Sequence, residues 1–377
     1  MKRRSLLTAA SAATVMTLGG VGYAVHRRGR NPYYRGPTSD HFDGVRFFAP
    51  GQVADNCQVA DKAQVADKAQ VPDKTQAADK SLGDVVRWKA ERGGTAWPKR
   101  HPSPFPADRP PERVSDLRVV LIGHASYLVQ VAGRNILIDP VFATRASPVR
   151  FAGPKRVNPP GIAMADLPAI DCVLITHNHY DHLDGPSLAR IWQAHQPLVV
   201  APLGNDAILR GYDETMHVET RDWGGSVDLG DGVSVHLTPA YHWSARGLND
   251  RRMALWCAFV ITSPEGVHYH VGDTGFGDGA IFRDVRRRFG APRLATLPIG
   301  AYEPRWFMQA QHMNPADAVA ALDLLGARQA LGHHWGTFKL TDEGIEAPAE
   351  ALDAAMDQAG QPRARFLAMR PGQVWES

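Results

Sequence analysis

Residues 176–185 read "THNHYDHLDG" and follow directly on the apolar run "DCVLI" (171–175). Three histidines and two aspartates, His177, His179, Asp181, His182 and Asp184, fall within eight residues. A helix would scatter them at steps of about 100° and leave no face that carries them all. An extended turn at a strand end serves them better. His177 and His179, two apart, point the same way, while Asp181 and His182 turn back toward a neighbouring point. A single histidine beside an apolar strand is commonly a packed core residue, but five such groups crowded together are not. Neutral imidazole and carboxylate suit zinc or a similar divalent ion, and two such clusters side by side suit two ions.

Working outward, the strand signals begin at Arg118. "RVVLIG", "SYLVQVAG" and "NILIDP" are short apolar runs, the last two joined by "AGRN" as in a hairpin. After the histidine cluster come a helical stretch ("GPSLARIWQAH"), the strand "PLVVA", a helix near "NDAILRGY", and the paired runs in "SVDLGDGVSVHLTPA". "LWCAFVITSPEGVHYHVGDTG" reads as a further hairpin, and "RLATLPI" and "QALGHH" as late strands. The helix between these two is well marked: Asn314 can cap it, Pro315 sits in its first turn, Asp317 favours its dipole and Gly326 ends it. Hairpins first and interspersed helices later predict an α/β chain layered as a sandwich with sheets inside.

Other strand ends supply further candidate ligands. "TPAYHW" places His242 just past a strand, "YHVGDTG" places Asp273 at a strand end, and "LGHHWGTF" places His333 and His334 after the last clear strand. Each alone reads equally as a turn or packing residue. Together with the first cluster they provide what a two-metal site needs.

Composition bounds the remainder. The 377 residues are 44% apolar and 21% charged, ordinary for a chain with a sizeable core, and the net charge of +3 gives no argument for nucleic acid as a partner. Basic residues cluster in "MKRR" and "HRRGR", which bracket the uncharged residues 5–25. That segment fits a cleaved export signal, an uncleaved anchor just long enough for a bilayer of about 30 Å, or a twin-arginine signal built on Arg3 and Arg4. Residues 1–30 are therefore expected to be a signal or membrane anchor, which places the protein in the cell envelope, membrane-anchored or periplasmic. Residues 31–51 form an extension. Residues 52–81 are five near-identical hexapeptides ("QVADNC QVADKA QVADKA QVPDKT QAADKS"), too few to build a β-helical core, and read as a low-complexity linker. Residues 82–377 are the remaining domain, starting with the helical "GDVVRWKAERGG" and a proline-rich arm. Of three cysteines, Cys57 lies in the repeat, while Cys172 and Cys257 lie in apolar runs and read as buried thiols.

"THNHYDHLDG" matches the H-x-H-x-D-H signature of the metallo-β-lactamase superfamily, and the later His, Asp and His follow in that superfamily's order. The chain resembles, more narrowly, the N-acylphosphatidylethanolamine-hydrolysing phospholipases D and their bacterial relatives. The strings "SDHFDGVRFF", "GHASYLVQ", "ILIDPVF", "PIGAYEPRWFM", "QHMNPADAV" and "HHWGTF" carry that likeness. It covers most of the chain from about Asn31 onward, apart from the hexapeptides. The basic N-terminal segment and the repeat lie outside that pattern.

The resemblance implies an αββα sandwich with two facing mixed sheets and two zinc ions. One ion would be held by His177, His179 and His242, and the other by Asp181, His182 and His334, with Asp273 bridging both beside a shared hydroxide. His334 is preferred to His333 on the match "HWGTF". Asp184 is expected to orient a ligand histidine, and His312, before a helix, to act as an acid or phosphate donor or else to lie on the surface. His124 is expected either to support a ligand or merely to be buried. Tyr302, Arg305, Trp306 and Phe307 offer a cation with aromatics for a phosphate and lipid chain, or a packed loop. The function implied is a zinc phosphodiesterase of phospholipase D type acting on N-acylphosphatidylethanolamine-like phospholipids at a membrane surface, with a sugar or acyl lactonase as the alternative. A diiron redox protein would need a flavin partner segment that the sequence does not show, and a non-catalytic scaffold would be expected to have lost ligands, whereas all seven positions are filled.

Overall fold

The runs from Arg118 onward are rich in Val, Ile, Leu and Tyr and are broken by Gly, Asp and Pro, a pattern that favours half-buried or fully buried strands over helices. In the computed structural model, which describes residues 31–51, 82–91 and 93–377, they build two seven-stranded sheets. The first contains β1 (Arg118–Gly123), β2 (Ser126–Val131), β3 (Arg134–Ile138), β4 (Cys172–Leu174), β5 (Leu198–Pro202), β6 (Val218–Arg221) and β14 (Val374–Glu376). Its order is β14-β1-β2-β3-β4-β5-β6, antiparallel as far as β3 and parallel beyond it. The second contains β7 (Ser226–Gly230), β8 (Val233–Thr238), β9 (Ala258–Ser263), β10 (Gly266–His270), β11 (Leu294–Pro298), β12 (Gln329–His333) and β13 (Phe366–Ala368). It repeats the scheme: β7 to β10 run antiparallel, β10 to β13 parallel. The expected β2–β3 hairpin forms, with Ala132 and Gly133 at φ 47° and 75°, as a two-residue turn matched to strand twist requires.

Strand alternation sets the layers. Val119, Leu121, Tyr127, Val129, Ile136 and Ile138 point between the sheets and meet Val235, Leu237, Phe259 and Ile261 from the other side. Their neighbours Val120, Ile122, Leu128 and Leu137 point outward. There they are covered by Leu188 and Ile191 of α2 (Gly185–His195) and by Ile208 and Leu209 of α3 (Asn205–Arg210). The outer face of the second sheet is covered by α4 (Ala280–Phe289), α6 (Pro315–Leu325) and α7 (Ala347–Gln358), through Phe282, Leu322 and Met356 among others. The αββα sandwich with two facing mixed sheets is thus present. Truncating the fully buried Phe259 to Ala would cost about 3–5 kcal/mol.

The predicted start of α6 is realised in full. The Asn314 side chain accepts from Asp317 N, the Asp317 carboxylate accepts from Asn314 N, and Gly326 closes the helix in the left-handed region. Six elements have no counterpart among the runs read from the sequence: β6, β13, β14, α4, α7 and the four-residue helix α5 (Arg305–Met308). The three strands have only three or four residues each, too few for a period to show.

The first segments wrap the sandwich. Phe42 and Phe47 of the 31–51 extension stack at 4.4 Å and are buried in the outer cluster of the second sheet. The proline-rich arm bonds along the domain through His101 N to Val157 O and Asp108 N to Gly161 O, both 2.7 Å. α1 (Leu82–Glu91) lays Trp88 on Phe307 of the short helix α5, with ring centroids 4.9 Å apart. Cys172 and Cys257 are buried free thiols, as expected. The N-terminal signal or anchor, the hexapeptide linker and Cys57 lie outside the described residues. Among the described residues no helix is long and apolar enough to cross a membrane.

Candidate metal centre

The C-terminal ends of β1, β3, β4, β8, β10 and β12 all lead into loops on one edge of the sandwich, and the candidate ligands sit just beyond them. β4 leads to His177, His179, Asp181 and His182, β8 to His242, β10 to Asp273, and β12 to His334. Close approach of these loops demands glycine. A Cβ on Gly272 would lie 2.6 Å from Thr176 Oγ1, and one on Gly300 would lie 2.3 Å from the His334 carbonyl oxygen.

The seven expected ligands converge in two groups that share Asp273. Its Oδ2 lies 3.8 Å from His177 Nε2 and 3.6 Å from His242 Nε2. His179 Nδ1 is 2.9 and 3.2 Å from those same two nitrogens. Asp273 Oδ1 lies 3.3 Å from His182 Nε2 and 2.9 Å from His334 Nε2. Asp181 Oδ2 stands 3.7 and 3.5 Å from that second pair. Bonds of about 2.0–2.2 Å to a tetrahedral ion put its ligand atoms roughly 3.3–3.6 Å apart, and the 2.9–3.8 Å separations in the two groups bracket that spacing. Asp273 is therefore placed with one oxygen toward each.

The donor atoms fit a metal for a second reason. His182 Nε2, His334 Nε2 and Asp273 Oδ1 are buried and make no hydrogen bond, a costly arrangement unless a ligand completes it. Burial pushes His177 and His242 well below the ordinary imidazole value and His179 down to about 4, so these rings are neutral, as metal ligands must be. His182 and His334 differ from those three rings: against burial, Asp273 and Asp181 push His334 up to about 9 and His182 well above the ordinary value. Burial alone would raise the Asp273 and Asp181 carboxyls, but the same attraction holds both well below the usual carboxylate range, so in this group binding an ion displaces protons.

Supporting residues fix the ligands. His182 Nδ1 donates to Asp139 Oδ2 at 2.7 Å, and Thr176 donates to the same carboxylate from its N–H at 2.7 Å and its hydroxyl at 2.5 Å. Asp139 thus does what was expected of Asp184, namely orient a ligand histidine. In the sequence Asp139 only closes the strand run "NILIDP", and nothing local ties it to His182. Asp184 is corrected to a structural part. It caps α2 and accepts from Ser187 and from the N–H groups of Phe142 and Ala143, at 3.1 and 2.8 Å. His124 resolves toward support: its Nε2 lies 3.0 Å from Asp181 Oδ2, grouped with Asp181, His182 and His334.

Of the histidine pair, His334 faces the site. His333 turns between the sheets, donates to Val271 O at 2.8 Å and stacks on His270. His312 is no surface residue: it is buried, grouped with Asp273 and His334, with its ring 5.2 Å from His242 and 5.4 Å from His334. The segment Tyr302–Phe307 is packed, a loop that runs into α5 at Arg305. Arg305 donates to His312 O at 3.0 Å and pairs with Asp317 at 2.7 Å, so its charge is engaged in holding His312 in place. Trp306 lies under Arg87 and Phe307 against Trp88.

Comparison with known proteins finds metal-dependent hydrolases of one superfamily. A model of the beta-lactamase superfamily domain matches residues 134–335. An N-acyl-phosphatidylethanolamine-hydrolyzing phospholipase D 1 from Caenorhabditis elegans is 37% identical over 273 residues, spanning 70% of this chain and 76% of that protein. A UPF0173 metal-dependent hydrolase from Pyrobaculum aerophilum is 30% identical over 262 residues, spanning 68% of this chain and 99% of that one. Among solved structures, an isothiocyanate hydrolase from Delia radicum gut bacteria superposes with a TM-score of 0.55 at 22% identity, over 69% of this chain and 99% of that one, a likeness of fold. The chain belongs to the metallo-β-lactamase superfamily, as a metal-dependent hydrolase related to the N-acylphosphatidylethanolamine-hydrolysing phospholipases D.

Proposed function

We propose that the chain is a dinuclear zinc phosphodiesterase of phospholipase D type, cleaving N-acylphosphatidylethanolamine-like phospholipids into phosphatidate and an N-acylethanolamine. The observation that carries the substrate class is the 37% identity to the C. elegans phospholipase, maintained over 70% of this chain. The imidazole and carboxylate donor set supports zinc, and the two-sided placement of Asp273 supports a pair of ions. When bound, such a pair supplies Lewis acidity and a water of lowered pKa.

The chain's own residues do the rest. His177, His179 and His242 on one side and Asp181, His182 and His334 on the other hold the centre, with Asp273 between. Asp139 and His124 keep His182 and Asp181 from turning away. A water oxygen bonds to phosphorus, the distal phosphorus–oxygen bond breaks, and a proton passes to the departing alcohol oxygen. His312, buried beside His242 and His334, offers an imidazole N–H to an oxygen of the reacting phosphate. No protein nucleophile is needed: Cys172 and Cys257 lie in the core, and the Ser126 hydroxyl donates to Asp139 O.

The test is turnover of N-acylated phosphatidylethanolamine vesicles by the zinc-loaded full chain, read by mass spectrometry beside a panel of acyl and sugar lactones. Phosphatidate and N-acylethanolamine in equal amounts support the reading. Lactone turnover with no phosphatidate replaces it with the lactonase. The basic-flanked residues 5–25 support a place at the cell envelope, which fractionation of cells expressing the full chain tests.

A further inference from the structure

Arg246 lies beside the metal-binding loop without being one of its ligands. Its Nη1 donates to the carbonyl oxygens of both Asn178 and Leu183, each at 2.9 Å. These two carbonyls bracket His179, Asp181 and His182. Its Nη2 donates to the Tyr212 hydroxyl at 2.9 Å, and the guanidinium lies 3.8 Å over the Tyr180 ring, whose hydroxyl donates back to Arg246 O. Room for Tyr212 depends on Gly185 at the end of the motif, since a Cβ there would fall 2.2 Å from the tyrosine ring. The Arg246 backbone is anchored in turn. Asp250 accepts from Arg246 N and Gly247 N, and also from the Tyr33 hydroxyl at 2.8 Å, which ties the 31–51 extension to the same point.

Two features distinguish this from an ordinary surface contact. Among the described residues no carboxylate forms an ion pair with the Arg246 guanidinium, so its donors are committed to the two loop carbonyls and the Tyr212 hydroxyl. The loop itself has little internal bonding: His182 N and Leu183 N both donate to His179 O, at 3.1 and 2.8 Å. A planar donor group spanning the carbonyls of residues 178 and 183 supplies the closure that the loop lacks.

We propose that Arg246 is a positioning residue for the metal centre, locking both ends of the loop so that His179, Asp181 and His182 are already presented when an ion arrives. The inference rests on the metal centre and not on the lipid substrate, so it stands or falls separately from the phospholipase reading. The experiment uses the full chain as wild type, Arg246→Ala, Arg246→Lys and Arg190→Ala, the last removing an exposed charge from the same cleft. Zinc affinity is measured by competition with a chromogenic chelator, and hydrogen exchange and melting temperature are measured on the zinc-free proteins. The expected result is a loss of zinc affinity of about 10-fold or more in Arg246→Ala, within the range known for residues that orient metal ligands. Faster exchange should be confined to residues 177–183, with partial recovery in Arg246→Lys and no change in Arg190→Ala. Wild-type zinc affinity in Arg246→Ala overturns the proposal, and so does faster exchange throughout the domain, which would make Arg246 a general stabiliser. If Arg246→Ala does not fold, Arg246→Lys decides: weakened zinc binding with an intact melting temperature supports the role, and undiminished binding refutes it.

Discussion

The two halves of the sandwich are built alike but contribute to the metal centre in different ways. Each sheet begins antiparallel and ends parallel, and each sends loops to the same edge. The first half delivers His177, His179, Asp181 and His182 from a single loop after β4. The second half delivers His242, Asp273 and His334 from the ends of three strands, β8, β10 and β12. In the first half the ligands are neighbours in sequence, and what holds them comes from far away: Asp139 after β3, His124 after β1 and Arg246 after β8. In the second half the ligands are far apart, and strand register sets them, since β10, β11 and β12 pair in parallel with Pro298 opposite His333. The dense half therefore depends on a few side-chain bonds, and the dispersed half on the sheet itself.

The sharpest break in that comparison is Asp273, the one residue placed toward both groups. Asp273→Ala should lower metal content from two ions toward none and reduce turnover by more than about 100-fold, beyond what loss of an outer partner costs. Elemental analysis alongside kinetics reads both effects. Removing His334 instead should empty only the group that contains Asp181 and His182, leaving close to one ion per chain.

Next in size is the support of the dense half. Asp139→Asn keeps the shape but weakens the acceptor for His182 and Thr176, and should cost about 10- to 100-fold in metal affinity, measured by chelator competition. An unchanged affinity would mean that the loop holds His182 without help. Chelation itself comes next. Ions present at 100 times their dissociation constant stabilise by about 2.7 kcal/mol, so the melting temperature should fall by several degrees on metal removal and return on adding zinc.

The smallest effect belongs to Asp184. As a cap of α2 with bonds to Phe142 and Ala143, its replacement by Ala should cost about 1–2 kcal/mol of stability while metal content stays at the wild-type level. Loss of an ion in that variant would return Asp184 to the metal centre.

What could be read in the sequence follows the same division. The dense motif announced its chemistry because one loop carries it. Short apolar runs punctuated by turn residues, with helices interspersed later, announced the sandwich because strands buried on both faces read as continuous apolar runs. Asp139 was hidden because its partner, His182, lies far along the chain and only the fold brings them together. The choice between His333 and His334 lay beyond alternation, since the chain leaves β12 with His334 at φ 65°, where the period of a strand no longer applies. Asp184 was misread for a different reason. Asp-Gly-Pro-Ser at the start of a helical run is a capping pattern, and proximity to the histidines drew attention from it. His312 and Arg305 could not be placed from the sequence, because the loop from β11 folds inward over the site by contacts with α1 and α6.

The central claim is that two ions share Asp273. Anomalous diffraction at the zinc edge, from crystals of the zinc-loaded full chain, tests it most directly. Two peaks are expected about 3.5–4 Å apart, one among His177, His179 and His242 and the other among Asp181, His182 and His334, with an Asp273 oxygen on each. A single peak, or two peaks with Asp273 bound to only one, would contradict it.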